Sequence, residues 1–132
     1  MEEFVFLQSP PLGNEELNAL FQSAWASHRT RDFQPVLARS LVYVAAYRGP
    51  RLVGFVNVAW DGGVHGFILD TTVQKEFQRR GLGSRLLREA AQQARARGLD
   101  WLHVDFTPDL EPFYRAEGYV GTTAGLLRLR AK

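Results

Sequence analysis

The chain has 132 residues, 45% of them hydrophobic, enough for one domain spanning 1–132 to bury a core without metals or crosslinks. It contains no cysteine, which excludes a disulfide framework, a thiolate zinc site and a cysteine nucleophile. The formal net charge of +2 suits an anionic ligand and does not call for nucleic acid.

Glu2 and Glu3 open the chain, unlike the basic start of a signal peptide, and no apolar run approaches membrane-spanning length. A soluble cytoplasmic protein with no membrane partner is expected. Phe4 to Gln8 is a short apolar run halted by Ser9-Pro10-Pro11-Leu12-Gly13 and reads as a strand entering a turn. Asn14 is placed as the cap of a helix in which Leu17, Leu20, Phe21 and Ala24 recur at helical spacing, ending around Trp25 to His28. Pro35 interrupts the next stretch, yet Phe33, Val36 and Leu37 outline a short second helix.

Leu41 to Tyr47 and Leu52 to Trp60 are rich in β-branched and aromatic residues and flank Arg48-Gly49-Pro50-Arg51, the pattern of a hairpin. A second turn at Asp61-Gly62-Gly63 leads into a third strand, Val64 to Val73. Such an antiparallel meander is not how parallel dinucleotide-binding folds begin. From Leu82 the period changes: Leu82, Leu86, Ala90 and Ala94 mark one face of a long helix closed by Gly98. Trp101 to Phe106 returns to strand composition, and the pair encloses the helix in a βαβ-like unit. Asp109 is read as the cap of a short helix through Glu117, with Pro112 in its first turn and Gly118 at its end. One or two closing strands are expected from Tyr119 onward, including Leu126 to Leu129.

Gln78-Arg79-Arg80-Gly81-Leu82-Gly83 lies between a strand and the best helix, where free backbone N–H groups meet whatever occupies the turn. Glycines at 81 and 83 remove the Cβ atoms that would hold a pyrophosphate away, and Arg79 and Arg80 add positive charge. The helix dipole contributes only ~0.3–1 kcal/mol at an exposed site, so the N–H donors matter more. From the residues alone, the two glycines equally well just start a helix beside a solvated arginine face. The Lys-Ser/Thr ending of a Walker loop and the three-glycine Rossmann spacing are both missing.

The segment from Val73 to Gly83 closely resembles the signature of the GNAT acetyltransferase superfamily, Gln/Arg-x-x-Gly-x-Gly/Ala after a strand ending in valine. Pro112-Phe113-Tyr114-Arg115-Ala116-Glu117-Gly118-Tyr119 resembles the family's downstream Phe-Tyr-x-x-x-Gly-Phe/Tyr element. The resemblance spans residues 41 to 129, and the N-terminal third matches only in its strand-helix-helix order. It implies an α/β fold of the α+β type. The sheet would be mixed, mostly antiparallel and of six to seven strands, splayed between the fourth and fifth, with about four helices. It implies acetyl-CoA as co-substrate and no metal.

By the same resemblance, Thr71 and Val73 offer backbone groups to the pantetheine arm, and Gln78, Arg79, Arg80, Gly81, Leu82, Gly83 and Ser84 cradle the pyrophosphate. A backbone N–H near Thr71 or Thr72, at a family bulge, would polarise the thioester carbonyl. Tyr114 occupies the position whose phenol protonates the departing thiolate; from the residues alone it could equally pack beside Phe113. Where many members carry an asparagine contacting the CoA arm, this chain has Thr107.

An attacking amine must lose a proton, and Asp70 and Asp105, near the ends of the two splayed strands, are the candidate bases. Each also has a bland reading, Asp70 binding turn backbone and Asp105 pairing with a surface arginine. His65 and His103 are weaker candidates, and Trp25, Trp60, Tyr43 and Tyr47 are more simply core than pocket lining. The expected reaction is acetyl transfer to a primary amine of a small molecule or peptide, with a non-catalytic acyl-CoA sensor on the same fold as the alternative. A homodimer is compatible with the late strands acting as edges.

Overall fold

Short turns between β-branched runs fold residues 42–73 into a meander, to which the N-terminal strand returns across two helices. In the computed structural model, which describes residues 3–130, β1 (Val5–Gln8), β2 (Val42–Arg48), β3 (Arg51–Trp60) and β4 (His65–Val73) pair antiparallel in chain order. β5 (Trp101–His103) joins parallel to β4. A parallel pair needs a crossover, which is α3 (Leu82–Ala96). The other helices are α1 (Asn14–Ala24), α2 (Gln34–Arg39) and α4 (Glu111–Ala116), with single 3₁₀ turns at Lys75–Phe77 and Pro108–Leu110.

Strand alternation sends side chains to both faces. From β2, Val42, Val44 and Ala46 join Val56, Val58 and Ile68 under the apolar stripe of α3, made of Leu82, Leu86, Leu87, Ala90 and Ala94. Tyr43 and Ala45 point the other way and pack with Phe55, Leu17, Leu20, Phe21 and Phe33 under α1 and the start of α2. Each fully buried leucine of this kind contributes ~1.5–3 kcal/mol. On the outer face beyond these helices, Phe67, Leu69 and Trp101 stay exposed.

Several boundaries differ from the sequence reading. Gly13, not Asn14, caps α1, its N–H donating to Glu16 Oε2 at 3.2 Å. Asn14 instead links two helices: its Oδ1 accepts from the Phe33 N–H at 2.9 Å and its Nδ2 donates to Asp32 Oδ1 at 2.9 Å. Asp109 sits inside the 3₁₀ turn, whose cap is Thr107, while Leu110 precedes α4. Pro112 is tolerated in the first turn of α4 because its missing N–H would have no intrahelical partner. Gly98 does close α3, with φ 92°.

The strand count is lower than expected. β5 ends at His103 rather than Phe106, and the closing strands do not form among the described residues, so the sheet has five strands. Gly121, Thr122, Thr123 and Gly125 offer little apolar surface to dock, and Leu126, Leu127 and Leu129 are exposed.

Candidate functional site

The site begins where two strands part. β4 and β5 pair only through His65 to Phe67 against Trp101 to His103. β4 then continues to Val73 with no partner from β5, which opens a gap facing residues 104–106. Gly66 sits at the root of the gap, where a Cβ would stand 2.4 Å from Leu99 Cδ1 and 3.1 Å from Leu102 Cδ2. Only glycine lets the two strands and Leu99 close together there.

On its other edge β4 slips register against β3. Asn57 pairs with Leu69 and Phe55 with Thr72, so Asp70 and Thr71 together oppose Val56. That is a bulge of two residues against one, which disrupts the ladder and turns side chains. Asp70 carries it at φ 60°, in a left-handed region that aspartate enters more readily than β-branched residues do. The Thr72 hydroxyl donates to the Asp70 carbonyl at 2.9 Å and accepts from Trp25 Nε1 at 3.2 Å, binding the bulge to the end of α1.

Beyond β4 the chain makes one 3₁₀ turn and enters α3. Gly81 is the cap, at φ 84°, a conformation that costs an L-residue ~1–2 kcal/mol. The first helical bond runs from Arg85 N–H to the Gly81 carbonyl at 3.1 Å. The N–H groups of Leu82, Gly83 and Ser84 therefore have no intrahelical acceptor and form a cradle of donors of the kind that suits an anion. A Cβ on Gly83 would meet Phe113 Cζ at 3.4 Å and Val73 Cγ2 at 3.9 Å, ordinary contacts with α4 and the end of β4. Gln78 Nε2 donates to the Val73 carbonyl at 2.9 Å. Arg79, at φ 65°, is exposed. The Arg80, Arg48 and Arg51 guanidinium groups lie 5.3, 5.5 and 5.8 Å from the Phe77 ring centroid beside the cradle, and Arg51 pairs with Glu76 at 3.1 Å.

Tyr114 lies on the first turns of α4, buried, its ring stacked on Phe106 at 4.8 Å and edge-on to Phe113 and Tyr119. Burial pushes its phenol above the ordinary tyrosine value; the Thr71 side chain facing it pulls the value back, and the Asp105 carboxylate raises it. Thr71 Oγ1 is itself buried without a partner at full hydrogen-bond geometry. The phenol thus faces the bulge across the gap.

The two carboxylates are held differently. Asp70 is exposed and pairs with Arg31, from the loop after α1, at 3.4 Å, in place of the turn backbone. Asp105 is exposed, stands near enough to Tyr114 to act on its phenol, and makes no ion pair among the described residues. Thr107 is exposed, its carbonyl taken by the Leu110 N–H at 2.9 Å. His65 Nδ1 meets His103 Nε2 at 2.8 Å on the outer sheet face, and Phe67 stacks on His103. Tyr43 is core, whereas Trp25 and Trp60 are exposed. Arg31 and the Thr71 side chain escape the sequence reading; Arg31 lies 39 residues from Asp70, and nothing local signals the pairing.

One surface concavity of about 650 Å³ lies away from the gap, around Leu12, Gln34 and Leu37. A second, of about 320 Å³, is lined by Val36, Ser40, Asn57 and Leu69 and reaches the residue just before the bulge. No helix among the described residues is long and apolar enough to cross a membrane.

Known proteins share this architecture. An uncharacterized N-acetyltransferase ycf52-like protein of Prochlorococcus marinus is 28% identical over 121 residues, covering 88% of this chain and 67% of that protein. A putative acetyltransferase from Deinococcus radiodurans R1 superposes with a TM-score of 0.81 at 26% identity, covering 96% of this chain and 88% of that one. The aminoglycoside N-acetyltransferase AAC(6')-Iy, solved in complex with CoA, superposes with a TM-score of 0.76 at 15% identity, covering 98% of this chain and 96% of that one. The model of the acetyltransferase (GNAT) family matches residues 12–119, and the chain belongs to that family.

Proposed function

We propose that this protein transfers the acetyl group of acetyl-CoA to a primary amine of a small molecule or peptide, by direct attack with both substrates bound. The observation that carries the reading is the junction of the Gly81–Gly83 cradle with the β4–β5 gap, since one opens beside the other. The fit is supported by three N–H groups without an intrahelical acceptor at the start of α3 and by Gly81, around whose absent Cβ nothing lies within 4 Å.

Acetyl-CoA supplies the activated acetyl thioester. Its pyrophosphate would lie on the N–H groups of Leu82, Gly83 and Ser84, flanked by Gln78, Arg79 and Arg80, and its arm along Val73 in the gap. Gln78 now holds the Val73 carbonyl, so seating an amide there requires that side chain to turn away. Thr107, across the gap, offers a further polar contact to the arm.

Around the reacting carbon, a backbone N–H at Thr71 or Thr72 polarises the carbonyl, because the bulge frees a donor from the ladder. Tyr114 holds its proton at neutral pH and delivers it to the departing sulfur. Asp70 or Asp105, directly or through water, takes the proton of the incoming ammonium. No covalent acetyl-enzyme is needed, as holding both reactants in line can supply ~7–11 kcal/mol of the barrier. The amine would enter from the outer sheet face, between Trp25, Arg31 and the Leu69 concavity.

The test is calorimetric titration of acetyl-CoA, with CoA, ATP and NAD as comparators, followed by CoA release over a panel of amines. Binding of acetyl-CoA that a Gly83→Trp variant loses, and release with at least one amine, are expected. Absence of acetyl-CoA binding would overturn the reading, and binding with no release from any amine would leave only an acyl-CoA-binding module.

A further inference from the structure

Arg31 is an exposed side chain held in a fixed place. Its backbone N–H donates to Asn18 Oδ1 at 3.0 Å, and Asn18 Nδ2 donates back to its carbonyl at 2.9 Å. Its guanidinium carbon sits 4.3 Å from the centroid of the buried Phe33 ring and 5.6 Å from that of Phe21, an aromatic platform that restrains the head group. Fixing so long a side chain costs rotamer freedom. The return in stability is small, because its one ion pair, Nη2 to Asp70 Oδ2 at 3.4 Å, is exposed at both ends. An arginine ordered in this way is suited to a ligand.

The pair leaves most of its bonding capacity open. Among the described residues the Arg31 Nε and Nη1 donors and the Asp70 Oδ1 acceptor have no hydrogen-bond partner. One cation and one anion thus stand side by side at the β4 bulge, the complement of a zwitterion. An α-amino acid carries its ammonium and carboxylate on one carbon. It can lie antiparallel along the pair, with its ammonium on Asp70 and its carboxylate on the open edge of the Arg31 fork. The terminal charges of a peptide stand too far apart to do this, and an amino sugar lacks the carboxylate.

A side chain also has a place. The concavity of about 320 Å³ is walled by Val36, Ala59 and Leu69, and Leu69 immediately precedes Asp70. Its polar lining is engaged elsewhere: Ser40 donates to Asn57 Oδ1, and Arg39 to the Pro35 carbonyl at 3.2 Å. What remains open is apolar, with Val36 and Leu69 exposed. A volume at the low end of the ~300–1,000 Å³ of ligand pockets suits a single amino acid.

We propose that the acceptor is a free α-amino acid with an apolar side chain. Arg31 takes its carboxylate, Asp70 its ammonium, and the concavity between Val36 and Leu69 its side chain. The proposal rests on the acetyl-transfer reading above and names its substrate class. The ammonium gives a proton to Asp70 or Asp105, the freed amine forms an N–C bond to the acetyl carbon as the C–S bond breaks, and the departing thiolate takes the Tyr114 proton. The products are an N-acetyl amino acid and CoA.

The test has a binding arm and a turnover arm. Leucine is titrated calorimetrically into protein saturated with CoA, beside leucinamide and isoamylamine, which keep the amine and the branched chain and lack the carboxylate. Leucine is expected to bind at least about tenfold more tightly than either, as a charge-assisted hydrogen bond warrants. Arg31→Gln is expected to erase that difference with unchanged far-UV circular dichroism. In CoA release from acetyl-CoA, kcat/KM should rank the three in the same order and place glycine and glutamate below leucine. Equal binding of leucine and leucinamide, or a preference that survives in Arg31→Gln, overturns the proposal even where other amines release CoA and the transfer reading stands. Leucine held through Arg31 with no CoA release from any amine overturns the transfer reading and retains the amino-acid site.

Discussion

The Asp70 carboxylate meets the Arg31 guanidinium at 3.4 Å across the end of β4, with both side chains exposed. An exposed pair of this kind contributes about 0–1 kcal/mol, so Asp70→Asn should change the urea midpoint little. Asparagine also tolerates the left-handed conformation at φ 60°. Asp70→Val would not, and is expected to lower stability by about 1–2 kcal/mol more. If Asp70 is the base, Asp70→Asn depresses kcat/KM for the amine while the fold stays intact. Equal turnover in Asp70→Asn would transfer the role to Asp105.

Tyr114→Phe keeps the stack on Phe106 and removes only the hydroxyl. We expect kcat to fall by about 100-fold or more, the usual worth of a positioned acid, with acetyl-CoA affinity little changed. The sign of the pH dependence follows from the environment. Burial holds the phenol protonated above its ordinary range and Asp105 reinforces this, so the acid form is lost only in strong alkali. Asp105→Asn removes a negative neighbour and should move the alkaline limb of kcat to lower pH. A limb that stays in place would separate Tyr114 from the rate-limiting proton transfer.

Much of this was legible in one dimension, for identifiable reasons. The α3 stripe of Leu82, Leu86, Ala90 and Ala94 announces itself because helical period and burial coincide. Gly81 and Gly83 stand out because an anion cradle needs backbone without Cβ atoms. The Asn14 bridge to Phe33 and the Arg31–Asp70 pair were not legible, since both join residues distant in sequence through loops. Leu126 to Leu129 reads as a strand by composition, but composition does not supply a partner edge, and no strand forms there among the described residues.

The two loop glycines should separate by mechanism. Gly81→Ala forces an alanine to φ 84° at an open position where nothing lies within 4 Å of its Cβ. The expected cost is ~1–2 kcal/mol of backbone strain, read as a lower thermal midpoint. Gly83→Ala has helical backbone and meets Phe113 at an ordinary 3.4 Å, so stability should hold while acetyl-CoA binding weakens, as its methyl group crowds the cradle. Unweakened binding in Gly83→Ala would mean that the methyl group lodges beside Phe113 and leaves the cradle clear.

Gly66→Ala addresses the root of the splay. Its methyl group would overlap Leu99 Cδ1 at 2.4 Å and press Leu102 Cδ2 at 3.1 Å, and the Ala59 carbonyl at 3.4 Å blocks retreat toward β3. Overpacking of a core site costs ~1–3 kcal/mol, and here the strain falls on the three-residue pairing of β4 with β5. We expect a lower urea midpoint together with faster amide exchange at Leu102 and His103. Destabilisation without faster exchange on β5 would put the give in Leu99 instead.

Tyr119 offers a check on the buried aromatic cluster that is independent of catalysis. Its hydroxyl is buried with no partner, and burial, then Tyr114 and Glu117, push its pKa up to about 12. A phenol raised in the folded state from an unfolded value near 10 gives stability that is complete below about pH 10 and lost as pH climbs toward the folded value. Tyr119→Phe should therefore be neutral to stabilising near pH 7, by up to about 1 kcal/mol, because an unsatisfied buried hydroxyl is removed. It should also flatten part of the stability loss between pH 10 and 12. Tyr47, pushed to about 12 by burial and by Glu16, supplies another part and leaves a residual slope. Urea melts at pH 7, 10 and 11.5 decide the matter: a variant less stable than the parent at pH 7 would mean that the hydroxyl is bonded in solution.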